Sequence, residues 1–101
     1  STTAFPARRF AVYSSSKLAP RMVVEILARE IAHRGVTVNS IMPYATDGAG
    51  IFAGDDKPAY RDIRGRATES CPMGRMGTLD DVANVAEFFA GELSSFVSGQ
   101  H

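Results

Sequence analysis

The sequence predicts part of an α/β domain, and three observations support this prediction. A long segment over 12–34 repeats apolar residues at the spacing of an amphipathic helix. A short segment over 36–42 follows directly and is rich in β-branched residues, as strands are. Strand-like residues also lie near both ends of the chain, but none forms a complete strand that could pair with 36–42. Because a helix followed by a buried strand is half of a βαβ crossover, we expect these 101 residues to belong to a larger domain.

The helix predicted over 12–34 has a clear end and one internal obstacle. Gly35 follows it and is a typical helix stop. Pro20 lies inside it, removes one backbone donor and crowds the preceding turn, so a kink or a loosened turn is expected there. In an alternative interpretation the helix begins at Leu18 or Ala19, and Pro20 occupies its first turn without strain.

The segment over 36–42 is predicted to be a strand buried on both faces, as in a parallel sheet, and it ends at Pro43. The following residues, 43–58, are rich in glycine and aspartate, which favours a mobile loop. The loop after a strand's carboxyl end is where α/β proteins bind ligands. A weaker, charged helical pattern over 59–70 belongs to the same feature, so 43–77 is predicted to be a substrate or cofactor loop and lid.

The last predicted helix covers 79–91. Thr78 and Asp81 precede and open it with the spacing of a capping box, in which aspartate replaces the usual glutamate. Apolar residues then recur at helical spacing, namely Val82, Val85, Ala86 and Phe89.

Composition excludes some classes of function. Basic and acidic residues number 11 each, so net charge provides no case for binding nucleic acid or an anionic membrane. The 45% hydrophobic content is enough for an ordinary core. Cys71 is the only cysteine, which rules out an intrachain disulfide, and we interpret it as a structural or incidental thiol. No apolar run is long enough to span a bilayer, so a soluble cytoplasmic protein is expected, and no metal site is predicted.

Tyr13 and Lys17 form the candidate catalytic pair. Four residues separate them, which places both on one face if the segment is helical. A phenol is a poor proton donor or acceptor at neutral pH, and a nearby ammonium favours the phenolate form. Taken alone the pair is a weak signal, because most such pairs are a surface tyrosine beside a solvated lysine.

Four short motifs give the pair its context. They are YSSSK at 13–17, GVTVNSIMP at 35–43, PMGRMGT at 72–78 and SSFVSGQ at 94–100. In order and spacing they resemble the carboxyl-terminal half of the short-chain dehydrogenase/reductase family. The resemblance implies part of a Rossmann-like doubly wound parallel sheet, with the first half of the domain and the last strand absent from this chain. It also implies an oxidoreductase that transfers a hydride between NAD(P)(H) and a small-molecule alcohol or carbonyl substrate.

The resemblance also implies roles for individual residues. Tyr13 would be the general acid/base, and Lys17 would favour its phenolate and hydrogen-bond the nicotinamide ribose. Ser1 lies twelve residues before Tyr13, close to the family's spacing for the serine that orients the substrate oxygen. A spacing one residue longer is also common, so Ser1 could instead be that serine's neighbour or a plain strand-end hydroxyl. Asn39 is expected to satisfy backbone groups rather than to catalyse.

The cofactor-binding residues implied by the resemblance are Pro43, Tyr44, Ala45 and Thr46. Pro43 and the backbone after it would line the nicotinamide pocket, and Thr46 would meet the carboxamide or the phosphates. The sequence departs from the family here. Tyr44 replaces the glycine that usually follows the proline, and Gly48 stands where threonine is frequent.

Several parts of the family's machinery lie upstream of Tyr13 and are not in this chain. They are the glycine-rich phosphate turn, the residue that selects NAD or NADP, and the catalytic asparagine. We therefore expect the 101 residues alone neither to bind dinucleotide usefully nor to be active. The alternative function is a non-catalytic fragment or a subunit-interaction segment, because the resemblance implies a homodimer or homotetramer formed through the helix over 12–34.

Overall fold

The computed structural model describes residues 8–53 and 58–101, and its regular secondary structure is helical. These residues contain three α-helices: α1 (Ala11–Ile31), α2 (Pro58–Ser70) and α3 (Leu79–Ala90). Short 3₁₀ turns cover Ala32–Arg34, Gly50–Phe52 and Glu92–Ser94. No described helix is long and apolar enough to cross a membrane. The backbone contacts divide the chain into a first unit, up to residue 42 together with 85–101, and a second unit over 43–84.

Helix α1 confirms the helix predicted over 12–34, with the final turn tightening to 3₁₀ geometry. It begins at Ala11 and includes Pro20, so the alternative start at Leu18 or Ala19 is wrong. Gly35 ends it as predicted. Its φ angle is +72°, a left-handed value that glycine adopts without strain, and its N–H donates to the Ala32 carbonyl at 3.0 Å.

The predicted strand over 36–42 is not formed among the described residues. Its backbone pairs with 98–100, through Gly99 N–H to the Val38 carbonyl at 2.7 Å and Ser40 N–H to the Gln100 carbonyl at 2.9 Å. The Val38 N–H instead donates to the side-chain oxygen of Ser98 at 3.0 Å. A strand needs a continuous ladder of backbone partners, and this mixed pairing does not supply one. The parallel sheet therefore stays a prediction for the larger domain.

The side chain of Asn39 satisfies backbone groups, as expected. Its Nδ2 donates to the Val97 carbonyl at 2.9 Å, and its Oδ1 accepts from the Gln100 N–H at 3.1 Å. The amide thus bridges both sides of the turn before Gly99, which explains an asparagine here without a catalytic role.

The core of the first unit is small. Among the described residues Ala28 is the only buried apolar one, at 6% exposure. Gly99, with φ of +75°, lies so close that a Cβ there would be 3.6 Å from the Cβ of Ala28. The ordinary core expected from the composition is not formed within the described residues, because large apolar side chains of α1 remain half-exposed or more: Val12, Leu18, Met22, Val23 and Ile26.

In the second unit, the residues after Pro43 pair with the turn before α3. Thr46 and Gly77 form an isolated parallel bridge, in which Gly77 N–H donates to the Ala45 carbonyl and Asp47 N–H to the Gly77 carbonyl, both at 2.9 Å. Helix α2 confirms the helical segment predicted over 59–70 and begins with Pro58, which suits a first helical position.

Helix α3 begins with the predicted capping box. The Thr78 Oγ1 accepts from the Asp81 N–H at 3.1 Å, and the Asp81 Oδ2 accepts from the Thr78 N–H at 2.8 Å. The shorter aspartate therefore replaces glutamate without loss of either bond.

Candidate active site

Tyr13 and Lys17 lie together on α1. The Nζ of Lys17 lies 5.5 Å from the centroid of the Tyr13 ring, a cation–π distance. Phe10 packs edge-on against the same ring, with the two centroids 6.0 Å apart and the planes at 80°. Tyr13 is 50% exposed and Lys17 is also exposed, so both side chains can reach a ligand. Because α1 continues through Pro20, the two residues share a helical face as predicted.

The predicted cofactor residues 43–46 lie in the second unit, in the segment that pairs with Gly77. Thr46 is buried, at 8% exposure, and its hydroxyl donates to the Tyr44 carbonyl at 2.9 Å. That proton is therefore used inside the loop, which leaves the oxygen's lone pairs or the backbone for any ligand contact. The bond from Thr46 to Tyr44 and the pairing with Gly77 therefore hold the conformation of this segment.

The phenol of Tyr44 contacts a residue of α2, outside its own loop. Its hydroxyl oxygen is 2.9 Å from the Oγ of Ser70, the last residue of α2. The departure from the family's glycine therefore adds a link between the loop and α2.

An ion pair that the sequence did not reveal fixes the turn before α3. Arg75 Nη1 lies 2.6 Å from Asp81 Oδ2, and Nη2 lies 3.1 Å from Oδ1. The hydrogen bond from Arg75, with those from Thr78, holds the pKa of Asp81 well below its usual range, and Asp81 in turn raises the pKa of Arg75. No helical spacing rule joins these residues, because Arg75 precedes the helix.

A second unpredicted cluster fastens the segment over 98–101 to α1. His101 contacts Glu25 Oε1 through Nε2 at 2.9 Å and Ser40 Oγ through Nδ1 at 2.7 Å. Since a carboxylate only accepts, Nε2 carries the proton of the first bond. The hydrogen bond from His101 is the main cause that lowers the pKa of Glu25, and Arg21 adds to it.

The structure brings the predicted site residues together in two groups. Tyr13 and Lys17 meet within the first unit, and residues 43–46 form one segment of the second. Ser1, the third predicted catalytic residue, lies outside the described residues. Within 8–53 and 58–101, no group of three or more His, Cys, Asp or Glu side chains could hold a metal ion.

Comparisons with known proteins place these residues in a family. Residues 1–101 match a family model described as enoyl-(acyl carrier protein) reductase. A short-chain type dehydrogenase/reductase from Picea abies is 31% identical over 100 residues, which cover 99% of this chain and 35% of that protein. The chain belongs to the short-chain dehydrogenase/reductase family.

Two further relatives of known sequence extend the match. A 3beta-hydroxysteroid dehydrogenase 1 from Eggerthella lenta is 37% identical, with 93% of this chain and 35% of that protein covered. The 3-oxoacyl-[acyl-carrier-protein] reductase FabG of Aquifex aeolicus is 33% identical, with coverage of 87% and 34%. The chain thus spans about a third of the length of these relatives.

Two solved structures are similar in backbone. The angucycline C-6 ketoreductase LanV, solved with bound NADP, gives a TM-score of 0.84 at 25% identity, over 98% of this chain and 37% of that one. The reductase LugOII gives 0.83 at 30% identity with the same coverage. The short-chain dehydrogenase/reductase assignment therefore rests on both sequence and backbone.

Proposed function

We propose that the protein to which this chain belongs transfers a hydride between NAD(P)(H) and an alcohol or carbonyl substrate. The observation that carries the proposal is the Tyr13–Lys17 pair, in which an ammonium lies 5.5 Å from the centroid of an exposed phenol ring. The pair occupies the YSSSK motif of a chain that belongs to a family of oxidoreductases. Both side chains are exposed, so a substrate oxygen can come within the hydrogen-bond reach that a general acid/base needs.

Tyr13 is the proton-transfer residue in this proposal. In reduction its hydroxyl donates a proton to the substrate's carbonyl oxygen, and in oxidation the phenolate takes the proton from the substrate's hydroxyl. When bound, the nicotinamide supplies or accepts the hydride at the substrate carbon. The positive charge of Lys17 would stabilise the negative charge that develops on the Tyr13 oxygen as the proton leaves. Ser1 would orient the substrate oxygen.

The residues present fit a nicotinamide ribose. The ammonium of Lys17 has three N–H donors, and its contact with the ring face leaves donors for the hydroxyl groups of a sugar. Pro43, Tyr44, Ala45 and Thr46 would line the nicotinamide pocket, mainly through backbone, since the Thr46 hydroxyl proton already binds the Tyr44 carbonyl. The NADP bound to LanV supports a dinucleotide here, with the choice between NAD and NADP open.

The names of the relatives support a ketone or secondary alcohol as the substrate class. A 3-oxoacyl reductase and a 3beta-hydroxysteroid dehydrogenase both exchange these two groups on otherwise different molecules. The test is to incubate the full-length protein with a 3-oxoacyl thioester or a ketosteroid and with NADH or NADPH carrying deuterium at the transferred position. Deuterium on the carbinol carbon of the product is the expected result. Product without deuterium, or no turnover with any ketone and either cofactor, would contradict the proposal.

A subunit-interaction role is the second candidate, and the exposed apolar stripe of α1 favours it. Leu18, Met22 and Ile26 follow one another at four-residue steps and are each about half-exposed. We propose that the full-length protein is a homodimer or homotetramer through α1. Light scattering should give a dimer or tetramer for the wild type and a smaller mass for Met22→Glu, whereas a monomeric wild type would contradict this.

A further inference from the structure

Tyr44 donates a hydrogen bond to the end of α2. Its hydroxyl oxygen lies 2.9 Å from Ser70 Oγ, and either atom could donate on distance alone. The Ser70 hydroxyl, however, already donates to the Arg66 carbonyl at 2.7 Å, with the Ala67 carbonyl at 3.4 Å. A serine hydroxyl has one proton, so the proton between Tyr44 and Ser70 comes from Tyr44.

Arg64 ties α2 to the same loop at a second point. Its Nη2 lies 3.1 Å from Asp47 Oδ1 and donates to the Phe52 carbonyl at 3.0 Å. Arg64 precedes Ser70 by about 9 Å of helix, at about 1.5 Å per residue. Two attachments separated along the axis fix both the position and the direction of a helix, whereas one attachment leaves it free to pivot.

The loop that receives both ties is itself braced. Its residues 45–47 pair with Gly77 through two backbone hydrogen bonds, and Gly77 lies within the turn that Arg75 and Asp81 hold. The hydrogen bonds with Gly77 therefore hold the loop in place within the second unit. Through Tyr44 and Arg64, the loop in turn holds α2.

We propose that Tyr44 is a positioning residue that holds α2, part of the predicted substrate lid, against the candidate cofactor loop. This inference rests on the proposed function, in which the backbone of 43–46 lines the nicotinamide pocket and α2 belongs to the substrate lid. The phenol of Tyr44 binds α2, whereas the backbone of the same residue is proposed to contact the cofactor. Loss of the phenol hydroxyl is therefore expected to affect substrate binding more than cofactor binding.

The test uses Tyr44→Phe in the full-length protein, which keeps the ring and removes only the hydroxyl. Amide hydrogen exchange over 66–70 should become faster by about 2- to 10-fold, the range that a single neutral hydrogen bond gives. Exchange in α1 should not change. The KM for the ketone should rise by a larger factor than the dissociation constant of the dinucleotide.

Two further variants make the result specific. Ser70→Ala removes this bond together with the Ser70 bond to the Arg66 carbonyl, so its exchange over 66–70 should be at least as fast as in Tyr44→Phe. The double variant should be no worse than Ser70→Ala alone. Tyr60→Phe is the matched control, because it removes a tyrosine hydroxyl from α2 itself and should leave exchange over 66–70 unchanged.

The outcomes separate this inference from the proposed function. If amide exchange over 66–70 is unchanged in Tyr44→Phe, the Tyr44–Ser70 hydrogen bond does not hold the end of α2, and the inference is wrong. Faster exchange with an unchanged ketone KM overturns the positioning role. If exchange is faster in Tyr44→Phe but the wild type turns over no ketone, the Tyr44–Ser70 hydrogen bond is supported and the proposed function is refuted.

Discussion

The Nζ of Lys17 lies over the ring of Tyr13, 5.5 Å from its centroid, on a helix that continues unbroken through Pro20. A single helix therefore sets the backbone spacing of the two residues. Their relation does not depend on loop conformation, which makes variants of either residue informative about chemistry rather than folding.

Tyr13→Phe is expected to abolish most turnover in the full-length protein. It removes the proton donor and keeps the aromatic ring beside Lys17, so kcat should fall by about 10²- to 10⁴-fold, the usual contribution of a general acid or base. Cofactor binding, measured by fluorescence titration, should change little. Retained turnover would count decisively against the proposed role.

Lys17→Met should both weaken dinucleotide binding and lower kcat. The substitution keeps an unbranched side chain but removes the charge that favours the phenolate and the donors for the ribose. Lys17→Arg keeps a cation and should recover part of both parameters. Because Lys17 is exposed, the thermal unfolding midpoint should hardly move in either variant. Normal kinetics in Lys17→Met would remove this residue from the site.

Thr78→Ala should lower the free energy of unfolding by about 1 kcal/mol, the usual effect of losing a helix N-cap oxygen. The Thr78 Oγ1 accepts from the Asp81 N–H at 3.1 Å, and alanine has no atom to replace it. Thr78→Ser keeps the oxygen and should unfold close to the wild type in urea. Equal losses in both variants would mean that the methyl group, not the cap, is responsible.

Asp81→Asn should make stability less dependent on acid pH. The native pKa of Asp81 is depressed, chiefly by Arg75, so its stabilisation is complete above the usual aspartate pKa of about 3.9 and is lost as pH falls below it. The variant should therefore melt below the wild type at neutral pH, with a difference that shrinks toward pH of about 2 to 3. Asp80→Asn is the matched control, since it removes the same charge one residue earlier. A difference that is constant with pH would contradict the ion pair.

The isolated 101-residue chain should not bind dinucleotide with useful affinity. The glycine-rich phosphate turn of the family is absent from its sequence, and that turn supplies most contacts to the pyrophosphate. Titration with NADH and NADPH should therefore give no saturable signal at micromolar concentrations, and saturable binding would overturn the expectation.

The sequence alone was enough to predict the three helices, the stop at Gly35 and the family, but it left the start of α1 open. Helical periodicity, the stop at Gly35 and the capping box of Thr78 and Asp81 are local properties, each determined by residues within a turn or two. The position of Tyr13 and Lys17 on one face follows for the same reason, once α1 is known to begin at Ala11.

Only the tertiary structure decided which distant residues meet. The segment over 36–42 was expected to be a strand, but a strand depends on partners from other parts of a sheet. Among the described residues no strand forms there, and its backbone pairs with 98–100. The contacts of Tyr44 with Ser70, of Arg75 with Asp81 and of His101 with Glu25 likewise join elements with no fixed spacing in sequence. Local patterns thus predicted the candidate pair Tyr13 and Lys17, whereas the contacts between distant residues depend on where the backbone brings each element.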